Sequence, residues 1–246
     1  MKFKAYQHLI ANCIKGGVII ESLKLDINKE EVLRYLGYKG QDIDKNISTM
    51  IDECREEIKK IIMPRVVYSY NDIRQDDEGV EVITTNLILK GKDIREHLKN
   101  SKQCVLMAVT LGNEIERKTR LYEKTNLTRA LILDACATTA VEEVCDIVES
   151  NIKEKAIQEG MDITFRYSPG YGDLPLDVQN NFLRSLDAQR KIGLTVSENN
   201  LLFPRKSVTA IIGIIDNGIK KKKKGCKECN NYENCSFRRE GENCGA

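Results

Sequence analysis

Residues 165–175 read FRYSPGYGDLP, and the interpretation of the whole chain starts from this stretch. It follows a β-type run that ends at Phe165, and a helical pattern follows it, so we predict a loop that joins a strand to a helix. Pro169 and Pro175 restrict the backbone at its two ends, while its glycines permit positive backbone dihedrals and a close approach of a ligand. A loop of this kind can present N–H and C=O groups to a small molecule.

Two side chains of the loop have chemistry that suits a ligand. Arg166, at the strand end, can hold a carboxylate through two parallel hydrogen bonds. Tyr171 offers an aromatic face that can stack on a base or lie near a cation. The predicted small-molecule site consists of Arg166, Ser168, Gly170, Tyr171 and Gly172. The alternative is a simple tight turn with a solvated Arg166, because short glycine-containing motifs recur by chance.

Helical and strand patterns are mixed on both sides of this loop. Asn28 and Glu31 have the spacing of a capping box, which predicts the start of a helix that stops at Gly37. Further helices are predicted over 43–61, over 112–152 with a break near 126, and over 178–186. Strands are predicted over 66–68, 80–89, 104–110, 163–165 and 208–215. The elements show no βαβ rhythm. We therefore predict an α+β fold with a twisted, largely antiparallel sheet flanked by helices.

The composition excludes several classes of protein. The chain has 246 residues, 41% of them hydrophobic, and a formal net charge of +2. This near-neutral balance, without an arginine-rich stripe, gives no attraction to nucleic acid. No apolar run is long enough for a membrane span, and the first residues do not resemble a signal peptide. We expect a cytoplasmic protein with no nucleic-acid or membrane partner.

The residues from about 133 to 213 resemble the activation (reactivation) domain of vitamin B12-dependent methionine synthase. That family has an Arg-x-x-x-Gly-Tyr motif, here Arg166, Gly170 and Tyr171. Further matching positions are Leu186, Gly193, Ser197, Glu198, Pro204, Ser207 and Val208. The segments EVLRYLGYKG and VTLGNEIE resemble the free-standing short form of the family. This chain also departs from the family in two ways. Residues 172–175, Gly-Asp-Leu-Pro, stand where the full-length enzymes have Pro-Ala-Cys-Pro. The C-terminal and N-terminal ligand contacts of those enzymes have no recognisable counterpart here.

The resemblance implies a function. The domain binds S-adenosylmethionine and supports the reductive methylation of inactive cob(II)alamin to methylcobalamin, as the methyltransferase component of methionine synthase reactivation. The implied partners are a cobalamin-binding methionine synthase that lacks its own activation domain and a flavodoxin or ferredoxin that donates the electron. Two alternatives are a non-catalytic partner of a corrinoid protein and an iron–sulfur electron-transfer protein for corrinoid activation.

The composition changes after Gly218, where a five-lysine run leads into a cysteine-rich segment. We therefore predict an activation-like domain over 1–218 and a lysine-rich linker with a cysteine-rich tail over 219–246. The tail has too few apolar side chains to fold by burying them, so we expect a bound metal to order it. Its predicted ligands are Cys226, Cys229, Cys235 and Cys244, which suit either an iron–sulfur cluster or zinc. The alternative is a disordered tail with incidental cysteines.

The remaining titratable side chains carry no predicted site. The other five cysteines lie in or beside apolar stretches and are expected to be small buried hydrophobes; they are Cys13, Cys54, Cys104, Cys136 and Cys145. His8 and His97 have no ligand-like companion at helical spacing, and both are predicted to be surface residues.

Overall fold

The computed structural model describes residues 25–218 and the backbone of Val18–Ile19. The helices are α1 (Lys29–Tyr35), α2 (Lys45–Ile61), α3 (Lys92–Leu98), α4 (Glu114–Thr125), α5 (Leu127–Gln158), α6 (Gln179–Leu186) and α7 (Ala188–Ile192). The strands are β1 (Val18–Ile19), β2 (Arg65–Gln75), β3 (Val80–Val82), β4 (Leu87–Leu89), β5 (Ser101–Thr110), β6 (Met161–Ile163), β7 (Thr195–Val196), β8 (Leu202–Phe203) and β9 (Ser207–Asp216). Cys13, His8 and the predicted cysteine-rich tail lie outside the described residues.

One antiparallel sheet organises these elements. Its strands follow the order β4-β3-β2-β5-β9-β6, and β1 pairs with the first residues of β2. Every pairing between these strands is antiparallel. β7 and β8 form a separate hairpin. The predicted α+β class with an antiparallel sheet is confirmed.

Helices cover both faces of the sheet, as the alternation of side chains along β5 requires. Val105, Met107 and Val109 belong to the core beneath α1, α2, α4 and α5. Leu106 and Ala108 point the other way, into a second core with α3, α6 and α7. The central strand is therefore buried on both faces, which explains why it reads as a continuous apolar run.

The ends of the helices follow the local sequence. The Asn28 side chain accepts hydrogen bonds from the N–H groups of Glu30 and Glu31, at 2.8 and 3.3 Å, and this confirms it as the cap of α1. Asp44 caps α2 in the same way. No helix in the described part of the chain is both long and apolar enough to cross a membrane.

Several predicted strands have different bounds. The strand predicted over 163–165 is β6 at Met161–Ile163, because only an isolated bridge to β9 continues the pairing after it. The predicted strand over 80–89 is two short strands, because the chain turns between Val82 and Leu87. In this turn the Thr85 hydroxyl donates to the Val82 carbonyl and accepts from the Leu87 N–H. β2 extends to Gln75, well past the predicted end at residue 68. Its second half is polar, so it shows no apolar run, but its backbone pairs with β5 and β3.

The four cysteines in the described region are fully buried and free, as predicted. Burial raises the pKa of Cys54 to about 11 and that of Cys104 and Cys136 to about 12. Burial likewise raises the pKa of Cys145. These thiols therefore stay protonated and unreactive at neutral pH.

We predict that iodoacetamide at pH 8 leaves Cys54, Cys104, Cys136 and Cys145 unmodified in the folded protein, because alkylation requires a thiolate. In 8 M urea all four should react within minutes. Peptide mass spectrometry before and after denaturation measures both states. Rapid alkylation of any of the four in the native protein would contradict the buried placement.

Candidate ligand-binding site at the sheet edge

The chain beyond β6 continues along β9 and forms the last edge of the sheet. Thr164 donates its N–H to the Gly213 carbonyl at 2.9 Å, and the Gly213 N–H donates to the Thr164 hydroxyl at 2.8 Å. Tyr167 and Ile211 exchange two backbone hydrogen bonds of 2.9 and 2.8 Å. In an antiparallel ladder the residue before such a pair turns its N–H and C=O outward. No hydrogen bond among the described residues uses these two groups of Arg166, so they have no protein partner in this part of the chain.

Aromatic rings line the side of this edge that faces α3. The His97 ring lies 4.5 Å from that of Phe165 and 5.0 Å from that of Tyr167, measured between centroids. The Tyr167 ring is in turn 5.9 Å from the ring of Tyr171. His97 Nε2 is also 2.9 Å from the Thr164 hydroxyl oxygen. The prediction that His97 is a surface residue is therefore wrong: it is half-buried against the extended segment that leads into the loop.

The loop over 168–175 is a compact turn closed by its own backbone. Gly170 donates its N–H to the Leu174 carbonyl at 2.8 Å, and Tyr171 donates to the Ser168 carbonyl at 3.0 Å. The Tyr167 hydroxyl donates to the Tyr171 carbonyl at 3.1 Å. Burial, with the nearby negative charges of α3 and the loop, raises the pKa of Tyr167, so this hydroxyl remains a donor.

Residues 172 and 173 hold the loop against the start of α3. The Asp173 carboxylate accepts the N–H groups of Lys92 and Asp93 at 2.6 and 3.1 Å, and so satisfies two free donors of the first turn. Gly172 has φ +51°, and a Cβ there would collide with the Asp93 carboxylate and the Tyr167 hydroxyl. The sequence that replaces Pro-Ala-Cys-Pro in this chain therefore has a structural role.

The Arg166 side chain points to the opposite face of this extended segment, towards α5. Its Nη1 lies 2.7 Å from Asp146 Oδ1 and 2.8 Å from Glu149 Oε2, and its Nη2 lies 3.1 Å from Glu142 Oε2. The Arg166 side chain is 10% exposed. Burial opposes its charge, but Cys145 and the three carboxylates outweigh burial and raise the pKa of Arg166 above its ordinary value. One guanidinium thus joins the sheet edge to three acids of α5.

The structure brings four of the five predicted site residues together in one loop. Ser168, Gly170, Tyr171 and Gly172 belong to the turn, and the Tyr171 side chain is 45% exposed. Arg166 lies in the extended segment before the turn but sends its guanidinium to the other face, so only its backbone faces the same edge. Glu142, Asp146 and Glu149 were not predicted from the sequence. Their three-or-four spacing on a helix was a usable signal, but it reads equally well as a solvated face.

Comparison with solved structures identifies this architecture. The crystal structure of the MetH reactivation domain bound to AdoHcy matches with a TM-score of 0.58, over 83% of this chain and 79% of that chain, at 13% identity. The chain has the reactivation-domain fold. No family model matches the sequence, and no curated protein matches it either. The fold expected from the resemblance is thus confirmed, although sequence identity across this reactivation-domain fold is low.

The predicted metal ligands remain a prediction, because Cys226, Cys229, Cys235 and Cys244 lie outside the described residues. Among the residues that are described, no group of three or more His, Cys, Asp or Glu side chains is arranged to hold a metal ion. The candidate site at the sheet edge consists of backbone groups, aromatic rings and the ion cluster of Arg166.

We predict that Arg166→Gln lowers the free energy of unfolding by about 2–4 kcal/mol, since it leaves three carboxylates around a shielded position without their cation. Urea denaturation measures the change. The matched control is Arg190→Gln, which breaks an exposed ion pair with Asp187 and should cost less than about 1 kcal/mol. Equal costs for the two variants would show that the Arg166 cluster contributes no more than a surface ion pair.

Proposed function

We propose that this chain binds S-adenosylmethionine at the edge formed by residues 165–172 and supports the reductive methylation of cob(II)alamin on a separate protein. The observation that carries the proposal is the position of the motif. Arg166, Gly170 and Tyr171 lie at an open sheet edge of a reactivation-domain fold. A solved domain with this fold was crystallised with AdoHcy, the demethylated product of such a donor.

The open backbone suits the nucleoside part of the ligand. The outward N–H and C=O of Arg166 form a donor and acceptor pair, which complements an adenine edge that also carries one donor and one acceptor. Tyr171 adds an exposed aromatic face beside them. Gly170 has φ +92°, a conformation that favours glycine, and the Leu176 side chain fills the space that a Cβ would occupy, so the turn beside Tyr171 is tightly packed.

The carboxylate of the ligand is assigned to the Arg166 guanidinium. Three acids already surround that group, so a fourth carboxylate binds only if one of them turns away. Asp146 is the best candidate because its side chain is 60% exposed, compared with 38% for Glu142 and 27% for Glu149. The acid that is already most exposed to water needs the smallest rearrangement to leave Arg166 and become fully solvated. We therefore assign Asp146 to an exchange with the ligand.

In this reaction the protein positions the methyl donor, and no general acid or base is required. An electron reduces cob(II)alamin to cob(I)alamin, and the methyl group then passes from the sulfonium sulfur to cobalt. The sulfur keeps the bonding electron pair, so the products are methylcobalamin and S-adenosylhomocysteine. The sulfonium is already activated, and the chain contributes by holding it in line with the metal.

Two further components complete the proposal. The cobalamin belongs to a methionine synthase without its own activation domain, and a flavodoxin or ferredoxin in the same cytoplasm supplies the electron. The four cysteines over 226–244 would hold an iron–sulfur cluster or zinc. An iron–sulfur cluster there would add a route for the electron.

We predict that the full chain binds S-adenosylmethionine with a dissociation constant below 1 mM in isothermal titration calorimetry. Tyr171→Ala should weaken binding about tenfold, the loss expected when a base loses its aromatic stacking partner. The matched control is Leu131→Ala, another exposed apolar side chain, which lies on α5 away from the loop. Absence of binding below 1 mM, or equal losses in both variants, would contradict the proposed site.

The exchange at Arg166 gives a separate prediction. Asp146→Asn removes the competing charge and should strengthen S-adenosylmethionine binding about threefold or more. Decarboxylated S-adenosylmethionine, which lacks the carboxylate, should gain nothing from the same substitution. If both ligands respond alike, the carboxylate does not bind at Arg166.

A further inference from the structure

A pocket of about 220 Å³ lies where β2 begins and β5 ends. Its walls come from Arg65 of β2, the turn over 111–114 that leads into α4, the end of α7, and the segment Phe203–Pro204 before β9. None of its lining residues belongs to the loop over 165–175. The pocket is thus separate from the proposed nucleoside site.

Arg65 is the unusual feature of this pocket. The residue is partly buried, and the one hydrogen bond that its side chain makes within the described chain is a long one, 3.4 Å from Nη1 to the Ile192 carbonyl. Its Nε is buried and has no partner there. Every other arginine of the described residues that is not exposed has a carboxylate within 4 Å; these are Arg34, Arg55, Arg95, Arg129 and Arg166. Arg65 has none in that part of the chain.

A shielded cation without a counter-charge is costly, and an anion in the pocket would relieve that cost. The N-terminus of α4 adds to the positive potential, because the Asn113 side chain makes no capping hydrogen bond. Glu114 also lines the pocket, but its charge is already paired with Arg117 at 2.8 Å. The electrostatics therefore favour a negative group near Arg65.

The rest of the pocket is apolar. Met63, Phe203 and Pro204 line it, and the Phe203 side chain is 49% exposed. A volume of about 220 Å³ is below the roughly 300–1,000 Å³ of pockets for drug-sized ligands. From the charge, the lining and the size together, we infer that this pocket binds a small organic carboxylate. Its charged end lies on the Arg65 guanidinium and its short hydrocarbon chain lies against the apolar wall.

The test uses 4-methylpentanoate and the full-length protein labelled with nitrogen-15. Backbone amide shifts of Gly112 and Gly193, which line the pocket, should move and saturate with a dissociation constant on the order of millimolar, as fits a ligand of this size. Arg65→Met should weaken binding at least about tenfold. The control is Arg120→Met, which removes an exposed arginine of α4 outside the pocket and should leave the titration unchanged.

A second ligand keeps the inference testable if Arg65→Met does not fold. The alcohol 4-methyl-1-pentanol has the same hydrocarbon chain without the charge, and it should bind the wild-type protein at least about tenfold more weakly. Equal binding of acid and alcohol would overturn the inference, and so would unchanged binding in a folded Arg65→Met variant. Shifts that spread over the surface and never saturate would show that the pocket selects no ligand.

Discussion

The pairing of β5 with β2 on one side and β9 on the other is the constraint on which the rest of the structure depends. Eight consecutive residue pairs join β5 to β2, from Arg65 with Thr110 to Asp72 with Gln103. β9 pairs along nearly the whole opposite edge of β5. Because β5 is apolar on both faces, it is stable only when helices cover both sides of the sheet. α5 covers one side, and α3 and α6 cover the other.

This arrangement decides where a ligand can reach the main chain. The inner strands have their backbone groups paired, whereas the segment after β6 pairs only with β9 and leaves the outward groups of Arg166 without a hydrogen-bond partner in the described chain. An unprotected sheet edge invites pairing with another chain. Here the adjoining turn departs from the strand direction, and Asp173 ties it to α3. The edge is thereby short and fixed, as a binding site for a small molecule requires.

The sequence predicted those parts of the fold that depend on local patterns. The Asn28 cap, the apolar stripe of α5 and the apolar run of β9 are each recognisable within a few residues. The turn between β3 and β4 was missed because its threonines fit a strand as well as a turn.

The candidate site was only partly predictable for a physical reason. Gly170 and Tyr171 mark a turn by their own conformational properties, so a single segment reveals it. The partners of Arg166 are 17 to 24 residues away along the chain, and His97 approaches from another helix. Such contacts follow from tertiary packing, and no local periodicity encodes them. The same holds for Arg65, because only the three-dimensional structure shows that no carboxylate of the described chain lies near it.

The most direct test of the central claim is amide hydrogen exchange over residues 165–172, measured with and without saturating S-adenosylhomocysteine. The Arg166 amide has no hydrogen-bond acceptor within the described chain, so it should exchange rapidly in the free protein. If the ligand pairs with this edge, exchange at Arg166 should slow about tenfold or more, while the β3–β4 hairpin remains unchanged. Unaltered exchange across 165–172 at saturating ligand would contradict the claim that this edge is the binding site.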